Sequence, residues 1–190
     1  MGIRKLVWNL LGLWTLLVGV AFAEARNLPQ YVFLVDTSAS MIGREDGRTV
    51  IFPQVQRELM RFAERVTSET EVRIVTFSHE PQSVASFVLP RERAEMLRYI
   101  RGLRAEGRSS FIYGSVSRAY TELCTGQRAF YLFTDGLDNS GESARMPELK
   151  SPCPLTLVSL GVLPKGFADH WEGLQQTSLA DRPANQWPQA

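Results

Sequence analysis

Tyr31-Val32-Phe33-Leu34-Val35 is an unbroken apolar run that stops on Asp36. A short run without polar alternation is the pattern of a strand buried on both faces. The polar residues 44–48 follow and read as a loop. Phe52, Val55, Leu59, Phe62 and Val66 then recur at spacings of three and four, which predicts an amphipathic helix. Strands are expected over 72–77 and 84–89, the second at an edge of the sheet. Pro90 is placed to open a helix whose apolar stripe runs through Leu97, Ile100 and Leu103. Residues 107–110 read as a loop. Ile112, Val116, Ala119, Tyr120 and Leu123 predict another helix that ends near Cys124. A strand over 129–133 closes at Thr134-Asp135-Gly136, and a last strong strand is expected over 155–162. Residues 167–175 suggest a short helix. The tail from Thr177 is polar, carries Pro183 and Pro188, and is assigned no structure.

Strands alternating with helices imply an α/β fold: a doubly wound, mostly parallel sheet with helices on both faces. In such sheets ligands bind beyond the carboxyl ends of the strands, where the strand order reverses. The residues just after each strand therefore matter most for function.

The amino terminus changes the picture of where the chain works. Arg4 and Lys5 precede an apolar stretch from Leu6 to Val20, and Ala21-Phe22-Ala23 comes before Glu24. This is the three-part pattern of a secretory signal peptide, cut near Ala23-Glu24. The stretch is shorter than the roughly 20 residues a membrane-spanning helix needs. The expected organisation is a signal peptide over 1–23, one domain over 24–176 and a polar tail over 177–190. The chain is then secreted or periplasmic, with no membrane span after cleavage. Removing 1–23 takes two basic residues and no acid. That leaves 19 of 21 basic residues against 20 acidic ones, a charge near −1. Such a balance argues against nucleic acid as a partner. Arg91, Arg93, Arg98, Arg101 and Arg104 do cluster, and read as a solvated helix face. The two cysteines, Cys124 and Cys153, meet an oxidising compartment on export and are expected to pair.

The candidate chemistry lies in three places: Asp36-Thr37-Ser38-Ala39-Ser40, Ser109-Ser110 and Asp135. All offer carboxylates and hydroxyls. Such hard oxygen donors suit Mg²⁺, Mn²⁺ or Ca²⁺ rather than zinc or copper. Alternate positions of an extended loop point the same way, so Asp36, Ser38 and Ser40 can converge. Asp135 reaches the same crevice if its strand neighbours the one ending at Asp36. The same residues exclude other classes. No glycine-rich turn follows the first strand, and no phosphate-binding Gly-x-x-x-x-Gly-Lys run exists. There is no Gly-x-Ser-x-Gly, and the chain holds only His79 and His170. A phosphatase using Asp36 as nucleophile would want an aspartate at position 38, where Ser38 stands.

The residues from Val32 to Met41 resemble the opening of a von Willebrand factor type A domain. Leu132-Phe133-Thr134-Asp135-Gly136 resembles that family's Thr-Asp-Gly strand end. Ser110-Phe111-Ile112-Tyr113-Gly114-Ser115-Val116 resembles the segment that begins with a metal-binding threonine. The resemblance covers roughly residues 27–162. It implies a metal-ion-dependent adhesion site built by Asp36, Ser38, Ser40, Ser110 and Asp135. It further implies Mg²⁺ as the ion, with Mn²⁺ or Ca²⁺ as alternatives, and a partner protein that offers it an acidic side chain. It does not imply an enzyme. The family's threonine is serine here, with Ser109 the alternative to Ser110. Only about 28 residues follow Val162, so the sixth strand is expected to be missing or degenerate and the C-terminal part shortened. The competing functions are a Mg²⁺-dependent phosphoester hydrolase and a structural domain with an empty metal site.

Overall fold

A computed structural model of the chain describes residues 28–43, 50–139, 153–159, 167 and 174–178. Its strands are β1 (Gln30–Asp36), β2 (Thr70–Phe77), β3 (Pro81–Leu89), β4 (Ala129–Thr134), β5 (Leu155–Ser159) and β6 (Gln175–Ser178). They form one sheet in the order β3-β2-β1-β4-β5-β6. Only β3 runs antiparallel to its neighbour; every other pair is parallel. The helices are α1 (Phe52–Arg65), α2 (Arg93–Gly102) and α3 (Ile112–Leu123). The expected doubly wound, mostly parallel α/β fold is the one observed.

The apolar run of β1 lies at the centre, and successive side chains enter opposite cores. Tyr31, Phe33 and Val35 join Leu59 and Phe62 of α1 and Met96 and Ile100 of α2. Val32 and Leu34 join Ile112, Val116 and Tyr120 of α3. Residues 31–36 are all buried. Phe62 sets its ring edge-on to Tyr31 and Phe33, at centroid distances of 5.1 and 4.9 Å. Each such pair adds about 0.5–1.5 kcal/mol beyond burial. This packing fixes the height at which β1 ends, and with it the position of Asp36.

The structure corrects the sequence expectations at two places, the start of α2 and the C-terminal edge of the sheet. Pro90 does not open α2, which begins at Arg93. The Leu89–Pro90 bond is cis, and Pro90 to Glu92 make a turn. Glu92 then folds back on β3: its N–H donates to the Val88 carbonyl at 2.9 Å and its carboxylate accepts the Val88 N–H at 2.8 Å. The sixth strand is also present. Although four residues long, β6 pairs along β5 from Thr156↔Gln175 to Ser159↔Ser178. Its residues are polar because it closes an edge, so it gave no apolar signal. The sheet thus reaches Ser178, two residues into the segment read as tail. Gln175, expected to end a helix, opens this strand instead.

Cys124 and Cys153 form the expected disulfide, with Cα atoms 5.8 Å apart and a sequence separation of 29. Closing such a loop stabilises by roughly 3–4 kcal/mol in the chain-entropy picture. It ties the end of α3 to the start of β5, where the Tyr120 hydroxyl also donates to the Cys153 carbonyl at 2.8 Å. The signal peptide, the polar loop 44–48, the strand end 160–162 and the tail beyond 178 lie outside the described residues. Among the described residues, no helix is long and apolar enough to cross a membrane.

Candidate metal centre

β1 has β2 on one side and β4 on the other, so the strand order reverses between β1 and β4. The register sets Val35 opposite Phe133, which brings Asp36 level with Thr134. The crevice beyond these two strand ends is where the fold places a ligand.

Asp36 is fully buried there. Its Oδ1 accepts the Ser38 N–H at 2.9 Å. Its Oδ2 accepts two hydroxyls, from Ser110 at 2.9 Å and from Thr134 at 2.8 Å. No lysine, arginine or histidine among the described residues bonds to it. Burial raises the Asp36 pKa to about 6, against the opposing pull of hydrogen bonds from Ser38 and Thr134; the nearby Asp135 charge pushes it further up. A carboxylate in this setting is poorly neutralised, and a cation would relieve it.

The hydroxyls are held by separate elements. Ser38 and Ser40 place their Oγ atoms 2.9 Å apart. They flank the start of a 3-10 turn, Ala39–Ile42, pinned by the fully buried Met41 side chain. Gly43 ends the turn at φ 71°, a left-handed conformation that glycine adopts without strain, and its N–H returns to the Ser40 carbonyl at 2.8 Å. Ser110 is fully buried, whereas Ser109 is half-buried. Ser110 is therefore the member of the pair that the fold joins to Asp36.

Asp135 follows β4 directly. Its Oδ1 accepts the Leu137 N–H at 3.0 Å, a local turn contact. Its proximity to Asp36 is expressed in the charge effect described above. The five predicted residues thus gather at one strand-end crevice. Four of them, Asp36, Ser38, Ser40 and Ser110, are linked by hydrogen bonds.

Three contributions escaped the sequence reading. Thr134 was seen only as a neighbour of Asp135, yet it bonds Asp36 and also accepts the Gly136 N–H at 3.1 Å. The signal for it was a hydroxyl on the last residue of a strand that had to pair with β1. Asp138 accepts the Ile112 N–H at 2.6 Å and so caps α3. Asn139 brackets Ser110: its side chain accepts the Ser110 N–H at 3.2 Å and its own N–H donates to the Ser110 carbonyl at 2.7 Å. Both fasten the loop that carries Ser110.

The donor set is hard throughout: two carboxylates and three serine hydroxyls. A hydroxyl that donates its proton to a carboxylate keeps its lone pairs for a cation, as Ser110 does towards Asp36. The residues therefore suit Mg²⁺ or Mn²⁺ by their chemistry.

Residues 32–186 match the von Willebrand factor type A domain family. The chain belongs to this family. A comparison with curated proteins found no match. Among solved structures the domain is similar to a von Willebrand factor type A protein from Catenulispora acidiphila, at 16% identity and TM-score 0.60. That alignment covers 80% of this chain and 38% of the other, so the chain spans well under half of that structure. It is also similar to BatB from Bacteroides thetaiotaomicron, at 14% identity, TM-score 0.56, and coverage of 79% and 90%. A third similar structure is proximal thread matrix protein 1 from the mussel byssus, with a zinc-occupied MIDAS motif. There the identity is 14%, the TM-score 0.54 and the coverage 80% and 44%. At these identities the likeness is one of fold. Von Willebrand factor type A domains are commonly protein-interaction modules, some with a bound metal, and a divalent site on this fold is plausible. The disulfide fits an extracellular setting.

Proposed function

We propose that this von Willebrand factor type A domain captures a protein partner through a divalent cation, Mg²⁺ in the first instance. Asp36, Ser38, Ser40, Ser110 and Asp135 would hold the ion. The observation that carries this reading is the buried Asp36 carboxylate, which meets only hydroxyl and N–H donors at the strand-order reversal. Both of its oxygens are engaged in orienting those donors. The groups turned towards a cation are then mostly neutral oxygens, and a partner carboxylate supplies the missing charge. The domain acts as a binding module rather than an enzyme. We place it in the periplasm or outside the cell, in keeping with the signal-like amino terminus and the disulfide.

The test is a pull-down from the exporting cell with the intact chain as bait, with and without chelator, and with Asp36→Ala. Partner capture is expected in Mg²⁺ alone. Equal capture in chelator and by Asp36→Ala would overturn the reading. So would turnover of a generic phosphoester by the pure protein that Asp36→Ala abolishes.

A further inference from the structure

Beside the metal crevice lies an open groove of about 390 Å³. It begins at Thr37, between two of the residues proposed to hold the cation. It runs past Gln82, Ser83 and Thr76 to Tyr99 and Arg104 at the C-terminal end of α2. Its floor is a chain of hydroxyls: Thr76 Oγ1 and Ser83 Oγ are 2.8 Å apart, and Ser83 Oγ and the Tyr99 hydroxyl 3.0 Å. Gln82 closes the near end, where its Oε1 accepts the Thr37 hydroxyl at 3.2 Å.

The segment that borders this groove is basic, and its Arg104 lines the groove itself. Residues 91–108 carry six arginines against three glutamates. Arg93 is spent on structure, donating to the carbonyls of Ala63 and Val66. Arg91 pairs with Glu92. Arg98, Arg101, Arg104 and Arg108 are all exposed, and none makes an ion pair among the described residues. Arg104 folds back towards the groove, donating through Nη1 to the carbonyls of Arg101 and Leu103 at 2.9 Å. The segment is also fastened to the metal loop. The Gly107 N–H donates to the Thr37 carbonyl at 3.0 Å, and the Ala39 N–H donates to the Gly107 carbonyl at 2.7 Å. Thr37, next to Asp36 and Ser38 in the chain, thus shares one groove with the hydroxyls of Thr76, Ser83 and Tyr99 and with Arg104.

We infer that this groove holds the acidic flank of an extended partner segment whose leading carboxylate reaches the cation. The inference rests on the proposed metal-dependent capture and names the chemistry of its partner. The occupant is an acidic peptide stretch. Its carboxylates meet Arg104, which lines the groove, and the neighbouring exposed Arg101, while the groove's hydroxyls and Gln82 supply neutral hydrogen bonds. Arg98, Arg101, Arg104 and Arg108 make no ion pair among the described residues, and an acidic flank carries the charge complementary to them. A like-charged or neutral flank would leave them unmatched.

The probes are a fluorescein-labelled hexaglutamate and a peptide of equal length with one glutamate and otherwise glutamine. Anisotropy is read in excess Mg²⁺ and in chelator, and a calorimetric Mg²⁺ titration reports the metal site separately. Hexaglutamate is expected to bind about tenfold tighter than the single-glutamate peptide, and the gap is expected to shrink with salt. Arg101→Glu/Arg104→Glu, and the milder Arg101→Gln/Arg104→Gln, should close the gap and leave the Mg²⁺ heat unchanged. Arg118→Glu, on the exposed side of α3, should leave both unchanged. Normal Mg²⁺ heat with equal binding of the two peptides would overturn the groove and spare the metal reading. Absent Mg²⁺ heat would overturn the metal reading; an arginine-dependent gap that persists in chelator would then keep the acidic groove, and its absence would remove that too. Metal-independent capture by anionic lipid vesicles with no peptide gap would assign the arginine face to a membrane and overturn the proposal.

Discussion

Thr134 donates its hydroxyl to Asp36 Oδ2 across the β1–β4 pair, at 2.8 Å and with both residues fully buried. This bond stitches the two strand ends that frame the crevice. The same hydroxyl oxygen accepts the Gly136 N–H, so it also shapes the turn that presents Asp135. Thr134→Val keeps the shape and removes both bonds. We expect a loss of about 1–3 kcal/mol, since a buried carboxylate oxygen and a buried N–H each lose a partner. Urea unfolding in chelator measures the stability. Calorimetric Mg²⁺ titration of the same variant should show weakened binding through the displaced Asp135 turn.

Ser109 and Ser110 are chemically identical and adjacent, and the fold separates them. Ser110 is buried and bonded to Asp36, with Asn139 gripping its backbone from both sides. Ser110→Ala should cut Mg²⁺ affinity about tenfold or more, by removing one oxygen donor and loosening Asp36. Ser109→Ala should leave it unchanged. The two titrations run side by side decide the assignment; the reverse pattern would place the ligand one residue earlier.

The burial of Asp36 gives the metal-free domain a signed pH dependence. Its pKa rises from 3.8 to about 6 on folding. Between those values the folded state binds more protons than the unfolded chain, so stability falls as pH rises through that window. The loss is on the order of 3 kcal/mol, from 1.36 kcal/mol per unit. Urea unfolding in chelator from pH 4 to 7.5 should show this trend, and Asp36→Asn should lack its share of it. Saturating Mg²⁺ favours the ionised carboxylate, so the difference between Mg²⁺ and chelator should widen towards neutral pH.

Much of this was legible in the sequence, for physical reasons that differ by element. The strand 31–35 announced itself because both of its faces are buried, which leaves no room for polar alternation. The carboxyl-end rule then pointed to Asp36 and Asp135, because each follows directly on such a strand. β6 was not legible. An exposed edge strand held by backbone pairing needs no apolar side chains, as Gln175 and Thr177 show. The true start of α2 was hidden as well, because Glu92 turns back on Val88 through contacts that no periodicity reports. Thr134 and Gly107 were missed because their roles exist only across the gap between segments far apart in sequence.

Gly107 carries the last prediction. A Cβ at this position would lie 2.4 Å from Ser78 Cβ, 2.9 Å from Ser78 Oγ and 3.2 Å from the Thr37 carbonyl oxygen. The reason for glycine is therefore space. The backbone of this residue is bonded to both Thr37 and Ala39, and only a residue without a side chain lets the two loops approach so closely. Gly107→Ala must push the 103–110 loop away from the metal loop or displace Ser78, whose carbonyl accepts the Phe111 N–H at 2.8 Å. Either movement pulls Ser110 from Asp36. We expect a stability loss of about 1–3 kcal/mol, in the range of overpacked sites, together with a fall in Mg²⁺ affinity comparable to that of Ser110→Ala. Gly102→Ala is the control, because a Cβ there meets nothing within 4 Å. Replacing a helical glycine by alanine at that position should leave Mg²⁺ binding unchanged and raise stability slightly. Chelator-free calorimetry and urea unfolding of the two variants separate a steric effect at the loop junction from a general glycine effect.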